Sequence, residues 1–231
     1  MDISSYRSIS LLPTISKLLE MLILKKINKD LNPQHWIQNQ QFGFRQAHST
    51  MQQCHHITDF INKAMENQQY CTASFLDVSQ AFDKVWHPGL LFKIKRIVPS
   101  SYFNLVKSYL NERQFETEFN GETSSHCHIH SCVPQRSILG PLLYVLYTSD
   151  LPTSRETTLD TFADDTAIFA TYEDSRIASL NLQEHLHTIE KWLKNGKLRL
   201  TNPSHRTERL PSGKTTALQS TSTKLSYLKQ K

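Results

Sequence analysis

Leu159-Asp160-Thr161-Phe162-Ala163-Asp164-Asp165-Thr166-Ala167-Ile168-Phe169 sets two β-prone runs on either side of a pair of adjacent carboxylates. This pattern predicts a β-hairpin with Asp164 and Asp165 at or beside its turn. Two like charges side by side repel by roughly 1 kcal/mol in water at contact distance, and by several times that near a low-dielectric wall. Something positive belongs there. An exposed polar turn accounts for the same residues, because aspartate is a common turn former and water screens the repulsion. A third carboxylate elsewhere separates the two readings.

Upstream, Cys71-Thr72-Ala73-Ser74-Phe75-Leu76-Asp77-Val78 is a short apolar, β-prone run that ends in a carboxylate. It reads as a buried strand delivering Asp77 at its C-terminal end. Neighbouring strand ends in one sheet lie only ~5 Å apart, so Asp77 and the Asp164-Asp165 pair can converge. Three converging carboxylates make a hard-oxygen site suited to Mg²⁺. Two such ions side by side would serve an in-line phosphoryl transfer. A phosphoacceptor domain also carries paired aspartates, but it would be smaller and need a lysine placed against the phosphoryl group.

The remaining elements frame this site. Ile15, Leu18, Leu19, Leu22 and Ile23 recur at helical spacing after Pro13, which predicts an amphipathic helix over about 13–29 with that stripe inward and Lys17, Lys25 and Lys29 outside. Asn32-Pro33 should end it. A second helix is expected over about 49–67 on Ile57, Phe60, Ile61 and Ala64, one from Pro88 to about Ile97, and one over about 101–111 capped by Ser100. Asn120-Gly121 is the strongest hairpin dipeptide, with a returning strand through His126–His130. Leu139 to Leu146 is apolar almost all round, hence a buried helix. A long helix is expected over about 175–194 with Ile177, Leu180, Leu182, Leu186, Ile189 and Leu193 inward, closed by Asn195-Gly196, then a short strand from Lys197 to Leu200. Hairpins in one half and helices between strands in the other predict a mixed α/β or α+β sheet protein.

The chain has 231 residues, 38% of them hydrophobic, and a net charge of +5, with a pI near 9.0 and a mean hydropathy of −0.46. No apolar run approaches the ~20 residues that span a bilayer, so no membrane role is expected. Nor does Met1-Asp2-Ile3-Ser4-Ser5 open a secretory signal. The basic balance favours polyanionic partners. From Lys194 onward eight further Lys and Arg residues are opposed only by Glu208, a basic tail that reads equally as a solvated segment or a nucleic-acid contact. Beyond Asn202-Pro203 the composition turns to Ser, Thr, Lys and Gln, and residues 203–231 are expected to be poorly ordered. Cys54, Cys71, Cys127 and Cys132 lack CxxC spacing, which fits reduced thiols and an intracellular setting, nuclear or cytoplasmic. Neither Cys54-His55-His56 nor the His126–Cys132 cluster has spacing that compels a zinc site.

Five blocks then occur in a telling order: Tyr6-Arg7-Ser8-Ile9-Ser10-Leu11-Leu12; Gln41-Phe42-Gly43-Phe44-Arg45 with His48-Ser49-Thr50; Phe75-Leu76-Asp77-Val78-Ser79-Gln80-Ala81-Phe82-Asp83-Lys84-Val85; Val133-Pro134-Gln135-Arg136-Ser137-Ile138-Leu139-Gly140-Pro141-Leu142; and Phe162-Ala163-Asp164-Asp165. Together they resemble the reverse transcriptases of non-LTR retrotransposons, particularly jockey-like elements. The resemblance implies an α+β, right-hand polymerase fragment with an antiparallel palm sheet packed on helices. Residues 1–70 would belong to the fingers, 71–202 to the palm and 203–231 to a basic tail, with the thumb absent. Asp77, Asp164 and Asp165 would be catalytic, and with the Val78 carbonyl oxygen they would bind two Mg²⁺ ions, Mn²⁺ being possible. Arg45, Phe82 and Gln135 would contact the incoming nucleotide, Phe82 by excluding a ribonucleotide 2′-OH; ordinary core packing is its competing role. An RNA template, a DNA primer and dNTPs are the implied partners, with endonuclease and thumb regions in the full-length element.

The chain departs from that pattern in places. The family has glycine where Arg136 stands, and usually where Cys132 stands, so a long cationic side chain is expected to crowd the nucleotide or strain the loop. Ser8 replaces a proline. In Asn202-Pro203-Ser204-His205-Arg206-Thr207 a lysine-bearing segment is out of register; as a general acid His205 could substitute for it, whereas Arg206 holds its proton too tightly. These departures motivate a competing reading, a catalytically inactive relic that at most binds nucleic acid.

Overall fold

The strand that ends in Asp77 is buried over Cys71–Ser74 because both faces of its sheet are covered there. The computed structural model describes residues 10–31, 37–45, 48–200 and 208–210. In chain order they form α1 (Thr14–Leu31), α2 (Thr50–Glu66), β1 (Tyr70–Asp77), α3 (His87–Ile97), α4 (Ser100–Leu110), β2 (Gln114–Phe115), β3 (Glu118–Phe119), β4 (Glu122–Thr123), β5 (Cys127–His128), α5 (Gly140–Thr148), β6 (Thr158–Phe162), β7 (Asp165–Tyr172), α6 (Ser175–Asn195) and β8 (Glu208–Leu210). Two compact units result, Met1–Gln38 with Gln80–Asp150, and Asn39–Ser79 with Leu151–Lys231.

The second unit is built on a four-stranded antiparallel sheet in the order β6-β7-β1-β8. Side chains alternate between the faces of a strand. Cys71, Ala73, Ala167 and Phe169 take one face, where Ala64 completes the cluster and Ile57, Phe60 and Ile61 of α2 pack against it. Thr72 takes the other, its hydroxyl donating to the carbonyl of Ala178 on α6 at 3.3 Å. A sheet covered on both faces selects small and apolar residues at its central positions, with Thr72 and Ser74 as buried small polar ones. Ser49 starts α2 with a capping box: its hydroxyl accepts from the Gln52 N–H and the Gln52 side-chain oxygen accepts from the Ser49 N–H. The tail expected to be poorly ordered contributes β8, which pairs Cys71 with Leu210 and Ala73 with Glu208; the rest of 203–231, with Asn202-Pro203 and His205, lies outside the described residues. In place of a strand over 197–200 there is a bridge between Val78 and Leu200, with the Ser79 N–H donating to the Arg199 carbonyl.

In the first unit α5 is buried along most of its length, with Tyr144, Tyr147 and Leu143 each about 1% exposed, and α3 supplies Leu90 and Ile94 to the same core. Asn120-Gly121 forms the expected hairpin between β3 and β4, with positive φ at both residues. The returning strand is β5, paired with β2. Helix α4 starts one residue earlier than expected, with Pro99 at its N-cap rather than Ser100.

One expected apolar face is largely exposed and a second is exposed at one end. On α1, Ile15, Leu18, Leu19 and Leu22 are exposed, whereas Ile27 and Glu20 are buried. Glu20 turns inward because it accepts from the Tyr109 hydroxyl at 2.6 Å and from the Ile138 N–H at 2.7 Å. A carboxylate fixed by two donors sets the rotation of the helix against the pull of its leucines. On α6, Leu182, Leu186, Ile189 and Leu193 are buried as expected, but Ile177 and Leu180 in the first turns stay exposed.

Candidate functional site

The aspartates meet at one end of the four-stranded sheet. In the β1–β7 register Asp77 stands opposite Asp165, and directly opposed residues project from the same face with Cβ atoms about 4.5–5.5 Å apart. Phe162 pairs with Asp165 across the β6–β7 hairpin, leaving Ala163 and Asp164 as a two-residue turn. Ala163 has φ +59° and Asp164 has no positive φ, which fits a type II′ turn, whose first central position favours glycine. A non-glycine residue there stores strain of roughly 1–2 kcal/mol, a common feature of functional turns.

The turn is held from outside the sheet by residues 40–43. Phe42 N–H donates to the Thr161 carbonyl and Thr161 N–H to the Gln40 carbonyl, each at 2.8 Å, so this segment covers the β6 edge in parallel. The Gln41 side-chain oxygen accepts from the Gly43 N–H at 2.8 Å and from the Ala163 N–H at 3.1 Å. Gly43 fits because it has no side chain: a Cβ there would lie 2.2 Å from the Ala163 nitrogen. Gln41 and Gly43 are therefore positioning residues for the aspartate turn that reading the sequence passed over in favour of Arg45. The available signal was a glycine between two phenylalanines in the same block.

Electrostatics follow from this clustering. Burial raises the Asp165 carboxyl above its ordinary value, and the charges of Asp164 and then Asp77 push it further in the same direction. Among the described residues no group of three His, Cys, Asp or Glu side chains is arranged as a metal-ligand set. The donor chemistry nevertheless fits a hard divalent cation: three acceptor-only carboxylates at one sheet end, with repulsion that such a cation relieves. Val78, buried and bridged to Leu200, follows directly. Arg45 is half-buried at the end of the 40–45 segment, its carbonyl accepting from the His48 N–H.

Phe82, Gln135 and Arg136 belong to the other unit. The Phe82 ring stacks on Tyr144, with centroids 4.9 Å apart and planes 16° from parallel. The Gln135 side chain donates to Asp83 at 2.9 Å. Cys132 has φ +118° and Arg136 φ +66°. Both places where the resemblance called for glycine thus lie in the left-handed region, where a side chain costs roughly 1–2 kcal/mol. Gly140 closes this loop: a Cβ there would meet the Pro134 carbonyl oxygen at 2.7 Å, and its N–H donates to the Ser137 hydroxyl at 2.8 Å.

Comparison with known proteins accords with this geometry. A family model described as reverse transcriptase (RNA-dependent DNA polymerase) matches residues 2–208. The RNA-directed DNA polymerase from mobile element jockey of Drosophila melanogaster is 42% identical over 207 residues, covering 86% of this chain. The probable RNA-directed DNA polymerase from transposon BS of the same organism is 41% identical over 207 residues, again 86% of the chain. The chain spans 23% of the length of each of these relatives. Among solved structures, telomerase from Candida tropicalis in complex with a TWJ fragment of telomeric RNA superposes with a TM-score of 0.59 at 11% identity, covering 87% of this chain and 34% of that one. Apo telomerase from Candida tropicalis truncated from its C-terminal domain gives 0.52 at 13% identity over 82% of this chain and 40% of that one. Those two likenesses show a shared fold.

Proposed function

This chain belongs to the reverse transcriptase (RNA-dependent DNA polymerase) family, and from that premise we propose that it carries the nucleotidyl-transfer centre of a non-LTR retrotransposon polymerase, extending a DNA primer on an RNA template with dNTPs. The observation that carries the proposal is the β1–β7 register, which sets Asp77 opposite Asp165 beside the Asp164 turn. Residues 1–70 take the fingers role and 71–202 the palm role in this reading. Among the described residues no helix is long and apolar enough to cross a membrane.

Reverse transcriptases generally work with divalent metal ions. Asp77 and Asp164 would hold two Mg²⁺ ions, with Asp165 and the Val78 carbonyl in support. Bound there, the metal would lower the pKa of the primer 3′-OH and neutralise charge building on the phosphoryl group and the leaving pyrophosphate. The chain's own residues do the positioning. Gln41 and Gly43 fix the turn that presents Asp164; Arg45 offers a forked cation to the triphosphate or the template; Gln135 orients the incoming nucleotide; and the Phe82 ring excludes a 2′-OH.

Primer extension on an RNA template with Mg²⁺ tests this. Asp164→Ala should reduce extension to background while the fold, followed by circular dichroism, is retained. Extension unchanged in that variant would reject the proposed role.

A further inference from the structure

The first unit buries Glu20 of α1 to 2% exposure, while Leu18, Leu19 and Leu22 on the same helix are exposed. Both carboxylate oxygens are used. Oε1 accepts from the Tyr109 hydroxyl on α4 at 2.6 Å, and Oε2 accepts from the Ile138 N–H at 2.7 Å, in the loop before α5 that carries Gln135. Burial, and then the bond to Glu20, raise the Tyr109 hydroxyl well above its ordinary pKa, so it stays a donor throughout the working pH range. The Ser137 hydroxyl donates to the Tyr109 oxygen, and the Ser137 Oγ accepts in turn from the Gly140 N–H at 2.8 Å. Glu20 thus ends a chain of hydrogen bonds that enters one loop at Ser137, Ile138 and Gly140. A satisfied chain of this kind rigidifies what it joins.

That loop needs a hold. Arg136 has φ +66°, a conformation that persists only where the surroundings over-determine it. On the N-terminal side of Arg136, the Gln135 side chain donates to Asp83 at 2.9 Å and the Val133 N–H donates to the Phe82 carbonyl at 2.9 Å. On the C-terminal side stands Glu20. We propose that Glu20 is a positioning residue for nucleotide binding: it fixes the loop in the shape that presents Gln135 to the incoming nucleotide, without touching the nucleotide itself. A carboxylate suits a point where two donors converge because, ionised, it only accepts. Alanine in its place leaves the Ile138 N–H and the Tyr109 hydroxyl buried without this acceptor, and the strained loop loses this hold. The inference rests on the nucleotide reading of Gln135 above.

Two measurements on the full chain test it. In steady-state primer extension, Glu20→Ala should raise the KM for dNTP about tenfold, for a loop shift smaller than the 1 Å that costs ~100-fold, and leave the KM for primer–template unchanged. Glu20→Gln, whose amide oxygen can still accept from Ile138, should restore most of the loss. If Glu20→Ala does not fold, Tyr109→Phe, which removes one donor from the network, should raise the dNTP KM about threefold. Glu20→Ala added to Gln135→Ala should cost nothing more, because both act at one group. In hydrogen–deuterium exchange, amides of 134–140 should exchange faster in Glu20→Ala, or in Tyr109→Phe, and those of β1 should not. An unchanged dNTP KM, an equal rise in the primer–template KM, full additivity with Gln135→Ala, or unchanged exchange in the loop overturns the proposal. A silent Glu20→Ala beside a damaging Gln135→Ala overturns the Glu20 role alone; a silent Gln135→Ala overturns the nucleotide reading and this role with it. If the parent does not extend a primer, the polymerase reading is rejected and the exchange rates alone decide whether Glu20 holds the loop.

Discussion

Replacing Gly43 by alanine drives a methyl group into the backbone of the aspartate turn. The new Cβ would stand 2.2 Å from the Ala163 nitrogen, 3.0 Å from the Phe162 carbonyl carbon and 3.1 Å from Ala163 Cα, where ordinary contact begins at 3.4 Å. Taking 2.2 Å from 3.4 Å, the two segments must part by about 1.2 Å. Gly43 has no positive φ, so the cost is steric and not conformational. Overpacking of this kind costs about 1–3 kcal/mol, and at about 2–4 °C per kcal/mol for a chain of this size the melting temperature should fall by about 2–12 °C. Because the displaced atoms precede Asp164 directly, a shift near 1 Å should also lower primer extension by about 100-fold. Ala163→Gly should not rescue it, since the clash is with main-chain atoms. Gly121→Ala is the control: its φ is +84° with no atom within 4 Å of the added Cβ, so it should cost stability but leave extension alone. If Gly43→Ala melts and extends like the parent, the segment does not brace the turn.

Arg136→Gly should raise the urea midpoint by the equivalent of about 0.5–1 kcal/mol, because glycine relieves the φ of +66° at some cost in unfolded-state entropy; a lower midpoint would mean the arginine is held by contacts worth more than the strain. His87 is buried and hydrogen-bonded to the Cys132 carbonyl at 2.8 Å, and burial, with smaller contributions from the Arg113 and His130 charges, lowers its pKa below 6.5. The unfolded chain then takes up a proton before the folded one, so this contribution is complete above pH 6.5 and is lost as pH falls through the lowered value. Urea titrations from pH 7.5 to 5 should show that slope in the parent and a flatter one in His87→Asn. Burial pushes the Cys71 thiol up to about 11, so iodoacetamide at pH 8 should label exposed Cys54 and Cys127 well before it; rapid labelling of Cys71 would show that β1 opens readily.

Local chemistry was enough to place the aspartates. A carboxylate closing an apolar run and a carboxylate pair between two β-prone runs are patterns written within a dozen residues, and hydrogen-bonded pairing turned them into the Asp77–Asp165 register. Asn120-Gly121 was legible for the same reason, its turn being complete within four residues. The periodicity of α1 identified a helix but misjudged its inward face, because the groups that capture Glu20 lie 89 and 118 residues along the chain. Gln41 and Gly43 escaped for the same cause, their partner Ala163 being 122 residues from Gln41. Asp160 read as one polar residue in a strand until the fold buried it against His56, 104 positions earlier. The sequence by itself determined where most helices and the aspartate-bearing strands run, since propensity and spacing are local, whereas the bridge in place of the strand expected over 197–200 and the pairing of β8 were not legible in it. Tertiary structure alone decided which buried polar group meets which donor, because that match is made only where distant segments are packed together without water.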